Sequence, residues 1–265
     1  MGDTVLCEID KGIAWVTLNN PKARNALSGQ MRIDLRDVIG DLEHDDAVRC
    51  VVLRGAGDHF MAGGDIRAMK ERLDIDRETR KRVVIEGIHA IHLPVFAIRR
   101  MRKPVIASVR GAAAGFGLGL VAACDLAIAA DDAFFTLAYC HIGASPDGGS
   151  SYFLARTLGM KQAMELALLG DRFGADRALE LGILNRVVPA ADLEAETRAL
   201  AERLANGPTV AYAQAKSLFN TAFHTPMEQQ LQWEGEHMAV SMTTDDHAEG
   251  VTAFLEKRRP VFKGA

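Results

Sequence analysis

Two short runs rich in β-branched and alternating residues, 5–9 and 13–18, flank Asp10-Lys11-Gly12 and predict a β-hairpin. Asn19-Asn20-Pro21 then breaks the extended pattern. From Ser28, which has N-cap chemistry, apolar residues at Met31, Leu35, Val38, Ile39 and Leu42 keep helical spacing. Residues 49–54 carry the buried-strand run Cys50-Val51-Val52-Leu53, followed by a glycine-punctuated segment, 55–65, that leads into charged helical sequence. A long helix is expected over 76–101, with Pro94 as a candidate interruption and the cations Arg99, Arg100, Arg102 and Lys103 at its C-terminal end. Residues 104–109, 126–130 and 133–137 read as further strands. A second glycine run covers 111–119, and Pro146-Asp147-Gly148-Gly149 opens a helix towards Leu158. From about Asp192 the pattern is almost wholly helical, with breaks near Gly207-Pro208 and Thr225-Pro226. The expected class is therefore α/β, with a body over 1–195 and a helical region over 196–265.

Composition narrows the function classes. The 265 residues are 48% hydrophobic and 25% charged, an ordinary globular balance able to bury a large core. With Lys+Arg 31 against Asp+Glu 35, the formal charge of −4 offers no basic footprint for nucleic acid. Cys7, Cys50, Cys124 and Cys140 form no CxxC pair and read as buried thiols of a reducing compartment. Asp3, Glu8, Asp10 and Lys11 leave no apolar signal region at the start, and the most apolar stretch, 112–124, is too short for a bilayer. A cytoplasmic protein with no membrane contact is expected.

Three glycine-rich loops, 55–65, 111–119 and 143–149, each sit between a strand and a helix. Such loops let backbone N–H groups approach a ligand, although they also serve simply as tight turns. No GxxxxGK[ST] is present, which removes a Walker A loop. Gly117-Leu118-Gly119-Leu120-Val121-Ala122 fits GxGxxA, but the nearby acids Asp125, Asp131 and Asp132 come too early for a ribose partner. His89 and His92 share i,i+3 spacing without an identifiable third ligand, so no metal site is expected.

Ordered blocks along the chain carry a resemblance. They are Asn25-Ala26-Leu27-Ser28, Gly55-Ala56-Gly57-Asp58-His59-Phe60-Met61-Ala62-Gly63-Gly64-Asp65-Ile66, and Lys103-Pro104-Val105-Ile106-Ala107. They continue through 111–119, Ala123-Cys124-Asp125-Leu126-Ala127-Ile128-Ala129, and Ala253-Phe254-Leu255-Glu256-Lys257-Arg258. In this order the chain resembles the crotonase superfamily, also called the enoyl-CoA hydratase/isomerase family, nearly end to end. The resemblance implies a spiral of ββα turns, a helical C-terminal trimerisation region, and acyl-coenzyme A thioester substrates. It implies no cofactor beyond the coenzyme A moiety of the substrate, and assembly as a homotrimer or a dimer of trimers.

The same resemblance implies site residues. Gly64 and Phe116 match the two backbone donors that hold a thioester enolate, a role worth roughly 3–4 kcal/mol per donor. The family commonly has glycine at the Phe116 position, so the side chain is expected to narrow the pocket or redirect the acyl chain. Arg24, Ala62, Asp65, Ile66 and Arg67 are expected along the nucleotide, with Phe254 and Lys257 reaching it from the C-terminal region. Lys22, Arg24 and Lys257 read equally as solvated surface charges. The two hydratase glutamates fall at Gly119 and Tyr139, and neither residue is a general base at neutral pH.

Asp147 is the available acid, matching that of several Δ3,Δ2-enoyl-CoA isomerases; the ring-epoxide isomerase of phenylacetyl-CoA degradation is similar there and at the C-terminal end. An isomerase shifting 3-enoyl-CoA to 2-enoyl-CoA is the expected activity. The alternatives are a hydratase, an aryl-CoA dehalogenase with Asp147 as nucleophile and His92 as base, or a CoA-binding relative without turnover. The non-functional alternative for Asp147 is a helix cap.

Overall fold

The chain is described from a computed structural model covering residues 4–265; Asp3 lies outside the described residues. The hairpin forms as expected: β1 (Val5–Asp10) and β2 (Ile13–Leu18) pair antiparallel through Lys11-Gly12. Helix α1 (Gly29–His44) starts at Ser28, whose hydroxyl accepts from Met31 N, and buries Met31, Leu35, Val38, Ile39 and Leu42. The chain continues through β3 (Cys50–Gly55), α2 (Ile66–Glu71), α3 (Arg77–Arg100), β4 (Val105–Val109) and β5 (Ala112–Ala114). Then follow α4 (Phe116–Ala123), β6 (Leu126–Ala130), β7 (Phe134–Thr136), α5 (Ser150–Leu158) and α6 (Met160–Leu169). Next come β8 (Phe173–Gly174), α7 (Ala175–Glu180) and β9 (Arg186–Val188), ahead of the helices α8 (Leu193–Ala205), α9 (Thr209–Thr221), α10 (Met227–Met242) and α11 (Asp245–Leu255).

The large sheet has the order β1-β2-β3-β4-β6-β9, parallel from β2 onward. Alternation sends successive residues to opposite faces. Ala14, Val16, Val51, Leu53, Val105 and Ala107 enter the main core, while Ile13, Trp15, Cys50, Val52, Ile106 and Ile128 meet Leu193, Leu200, Ala201 and Ala205 of α8. Burial on both faces explains why these strands read as continuous apolar runs. A second sheet, β5-β7-β8, is smaller.

These two sheets define a repeating turn. The chain leaves β3, forms a bridge from Met61 to Ala113 of the small sheet, and enters α2. It repeats the path as β4, β5, α4 and again as β6, β7, α5. Consecutive turns stack in register, Ala113 beside both Met61 and Phe135, with Met61 N–H donating to Ala112 O at 2.9 Å and Ala114 N–H to Met61 O at 2.8 Å. The chain is a ββα spiral.

Several expectations need correction. Pro94 does not interrupt α3, which is continuous over 24 residues. The glycine run 111–119 is not one loop, because β5 lies inside it and Gly117 and Gly119 belong to α4. Of the four thiols, Cys50 and Cys124 are buried but Cys7 and Cys140 only partly so. The short elements α6, β8, α7 and β9 carried no clear periodic signal in a stretch of two- to ten-residue segments.

Helix α9 is tied to the body by polar contacts more than by apolar burial, since among its residues only Ala213 is buried. Lys216 of α9, nine-tenths buried, donates to Asp125 Oδ2 at 2.7 Å and to Lys103 O at 3.2 Å. Asn220 Nδ2 donates to Arg99 O, and Arg49 reaches Thr209 Oγ1 and Gly207 O. Burial pushes the Lys216 ammonium pKa down, and Asp125 opposes that shift. Asp125→Ala should therefore cost about 3 kcal/mol in chemical denaturation, because it leaves a buried cation unpaired. Adding Lys216→Met should recover much of the loss; the remainder reflects the Val105 N–H that Asp125 Oδ2 also accepts.

Candidate active site

In-register stacking brings the ends of three spiral turns together. Gly64 lies three residues beyond Met61, and Phe116 three beyond Ala113, so the two peptides occupy equivalent places in adjacent turns. Tyr139 begins a short 3-10 turn just beyond β7 in the third. The first two turns approach backbone to backbone: a Cβ on Gly63 would lie 3.1 Å from Ala114 O, and one on Gly115 would lie 3.7 Å from Gly63 Cα. Both glycines have positive φ, +92° and +53°, so neither position suits another residue. Among the described residues, neither Gly64 N–H nor Phe116 N–H donates to a protein acceptor. Phe116 is the first residue of α4, where backbone donors are free and the helix dipole adds positive potential.

Asn25 holds the first of these turns in place. It is fully buried at φ +55°, and its Nδ2 donates to Ala56 O and His59 O while its Oδ1 accepts from Asn20 N. His59 Nδ1 in turn accepts from Ala112 N at 3.1 Å, joining the loop to β5. The sequence showed Asn25 only as part of a motif. A signal was present, since asparagine tolerates the left-handed region and follows a Pro-initiated turn.

Asp147 stands beside the second and third turns. Its Oδ1 accepts from the Tyr139 hydroxyl at 2.6 Å. The Tyr139 ring in turn rests against Gly115. Asp147 is not a helix cap: Gly149 occupies the N-cap of α5, and Ser150 Oγ donates to the Asp147 carbonyl. Burial pushes the Asp147 carboxyl pKa above its ordinary value, opposed by the Tyr139 hydrogen bond and by His92 of α3. Burial and the adjacent carboxylate together push the Tyr139 phenol far above its usual range, so it stays protonated.

The Phe116 side chain lies against the Asp147 loop. Its ring packs on Gly148, where an added Cβ would lie 2.3 Å from Phe116 Cδ2, so the side chain braces the Asp147 loop. Gly119 is similarly enclosed, with an added Cβ 3.0 Å from both Gly148 O and Ser150 Oγ. The space a longer side chain would need there is filled by the start of α5. Met69 was not anticipated: its terminal methyl lies over Gly64, 2.5 Å from where a Cβ would sit.

Other expected residues divide into two groups. The Arg24 carbonyl accepts from Ala62 N at 2.9 Å, so Arg24, Ala62, Asp65, Ile66 and Arg67 share one rim with Gly64. Arg24, Ile66 and Arg67 are exposed, whereas Asp65 Oδ1 is committed to capping α2 through Arg67 N and Ala68 N. Phe254 and Lys257 lie elsewhere, at the exposed end of α11, and no hydrogen bond or ion pair joins them to that rim. Among the described residues no group of three or more His, Cys, Asp or Glu side chains is gathered to hold a metal ion. No helix among them is long and apolar enough to cross a membrane.

Comparison with known proteins decides the family. A profile of the Enoyl-CoA hydratase/isomerase family matches residues 8–265. The chain belongs to the enoyl-CoA hydratase/isomerase family. Within it, the chain is 36% identical over 264 residues to a probable enoyl-CoA hydratase of Rhodobacter capsulatus, covering 98% of each. It is 34% identical to the 1,2-epoxyphenylacetyl-CoA isomerase of Escherichia coli, over the full length of both. The crystal structure of an enoyl-CoA hydratase from Polaromonas sp. JS666 superposes with a TM-score of 0.91 at 35% identity, covering 98% of this chain and 99% of that one. The spiral is thus the crotonase fold, and the protein is an enzyme of the hydratase/isomerase family.

The raised Asp147 pKa has a stability consequence. A carboxyl whose folded pKa exceeds its unfolded value near 3.9 holds its proton more tightly in the fold. Stability is therefore lost as pH rises through that window, and the loss persists above the folded pKa. Asp147→Asn, which keeps an acceptor for Tyr139, should raise the thermal midpoint at pH 7. The gain should vanish below about pH 4. Thermal scans at the two pH values check this, and a less stable variant at pH 7 contradicts it.

Proposed function

We propose that this enzyme shifts the double bond of a 3-enoyl-CoA thioester to give the conjugated 2-enoyl-CoA. The observation that carries the reading is one half-buried carboxylate, Asp147, joined through Tyr139 to the Gly115–Phe116 segment, where the Phe116 N–H, like that of Gly64 in the adjacent turn, has no protein acceptor. In this mechanism the thioester oxygen accepts from Gly64 N–H and Phe116 N–H. Asp147 takes a proton from C2, and the electrons collect on that oxygen as an enolate. As the enolate collapses, Asp147 returns the proton at C4 and the C2–C3 double bond forms. Fixed dipoles in a water-poor site stabilise the developing charge without reorganising.

One resemblance and one observation support isomerisation over hydration. The family resemblance puts Gly119 and Tyr139 where the hydratases have their glutamates, which leaves no carboxylate at either position to orient a water. The wall of Gly148 and Ser150 against Gly119 leaves little space for one. Names among the relatives include both hydratases and isomerases. The influence of His92 on Asp147 favours a second reading, aryl-CoA dehalogenation, in which Asp147 would attack the ring carbon.

The substrate's coenzyme A portion is proposed to lie along the rim of Arg24, Ala62, Ile66 and Arg67. Phe254 and Lys257 of a neighbouring copy would complete the grip. Exposed apolar residues on α10 and α11, among them Met227, Leu231, Met238, Val251 and Phe254, support assembly as a trimer or dimer of trimers. Light scattering at micromolar concentration should give a trimer or hexamer, and a monomer would remove the proposed role of Lys257.

Turnover tests the mechanism. Purified protein should isomerise 3-enoyl-CoA far faster than it hydrates 2-enoyl-CoA, and Asp147→Asn should abolish the isomerisation while preserving thioester binding. His92→Gln should leave isomerisation nearly intact, whereas halide release from an aryl-CoA halide that disappears in this variant would favour dehalogenation. Phe116→Pro removes one donor at a position that opens a helix, where proline is tolerated. It should cost on the order of 100-fold in kcat relative to Phe116→Ala, which loses the ring but keeps the N–H.

A further inference from the structure

The geometry points to Tyr139 as a positioning residue that occupies one oxygen of Asp147, leaving the other as the single proton acceptor of the site. The inference rests on the reading of Asp147 as the acid/base group and assigns a function to its neighbour.

The two carboxylate oxygens are not equivalent. Oδ1 accepts from the Tyr139 hydroxyl at 2.6 Å, while Oδ2 has no hydrogen-bond partner among the described residues. Asp147 is half-buried, so its side chain is not sealed inside the core. The hydroxyl end of Tyr139 also lies against Gly115, the residue that precedes Phe116, with Cζ 3.6 Å from where a Cβ on that glycine would sit. One phenol thus neighbours both the proton acceptor and the peptide that carries the Phe116 N–H.

Chemistry favours a tyrosine here over a second carboxylate. Two carboxyls at this separation share one proton, and the pair titrates jointly. A phenol that stays protonated only donates, so it stabilises the ionised form of Asp147 against the burial that opposes it. With Oδ1 engaged, the proton leaving C2 binds Oδ2 and departs from Oδ2 to C4. Tyr139 keeps its own proton throughout. The titratable groups facing the carboxylate are Tyr139 from the turn after β7 and His92 from α3. The neighbours Ser150 of α5 and Phe116 of α4 carry no charge.

The experiment follows the Asp147 titration by carbon-13 NMR of labelled aspartate, assigned by the signal lost in Asp147→Asn, in wild type, Tyr139→Phe and His92→Gln. Removing the phenol donor destabilises the carboxylate, so the Asp147 titration should move to higher pH in Tyr139→Phe. The acid limb of kcat/KM should move with it, and kcat should fall on the order of 10- to 100-fold with KM little changed. His92→Gln serves to separate the histidine's smaller influence. An Asp147 titration unchanged in Tyr139→Phe overturns the inference. If the titration moves but Asp147→Asn still isomerises, the contact stands and the acid/base reading of Asp147 fails instead. Should Tyr139→Phe not fold, 3-fluorotyrosine placed at all three tyrosines supplies a stronger donor. It should move the Asp147 titration to lower pH, and no movement again overturns the inference.

Discussion

The structure depends on the register of the small sheet. Ala113 pairs with Met61 on one side and, through β5 and β7, with Phe135 on the other. This stacking holds the segments beyond each paired residue at the same height. Gly64 and Phe116 occupy equivalent places because they stand at equal offsets from paired residues. A slip of one residue between turns would remove that equivalence and, with it, the proposed pairing of their N–H groups on one oxygen. The contact of Gly63 with Ala114 and Gly115 reinforces the register, since a side chain on either glycine would push the turns apart.

Around that scaffold, polar groups are buried for positioning more than for stability. Asn25 satisfies its amide fully and fixes the loop before Gly64, a network that rigidifies because each member is partnered. Asp147 is partnered on one oxygen only, and burial works against its charge. That tension fits the acid/base role proposed for Asp147, since burial makes its carboxyl hold a proton more readily than an exposed one. Phe116 joins the two functions. Its N–H, free at the start of α4, is the proposed donor, while its ring supports Gly148 next to the proposed acid.

The C-terminal helices follow a different rule. Helix α8 covers the second face of the large sheet with Leu193, Leu200, Ala201 and Ala205. Beyond it, α9 is anchored by Lys216, Asn220 and the Arg49 contacts at its start, while α10 buries none of its residues and keeps Met227, Leu231 and Met238 in the open. A helix with large apolar side chains and no core of its own gains its stability from the surfaces it packs against.

Much was legible in the residue pattern. The hairpin, the helix capped by Ser28, the buried strands at β3, β4 and β6, and the breaks at Gly207-Pro208 and Thr225-Pro226 all follow from local periodicity and turn chemistry. The ordered motifs led to the family, and they made Gly64, Phe116 and Asp147 candidates for its chemistry. Other features depend on residues distant in sequence meeting in space. Short elements such as β5 and β8 have too few residues to show a period, and Pro94 continues α3 because tertiary packing outweighs the lost hydrogen bond. The capping alternative for Asp147 was removed only when Gly149 took the N-cap, and the packing of the Phe116 ring on Gly148 is visible only in three dimensions. The sequence by itself determined which chemical groups were present and which turns they followed. Only the tertiary structure decided that the Tyr139 phenol and the Asp147 carboxylate, eight residues apart, share a hydrogen bond, because both lie in the irregular connection between β7 and α5, whose path no local period encodes.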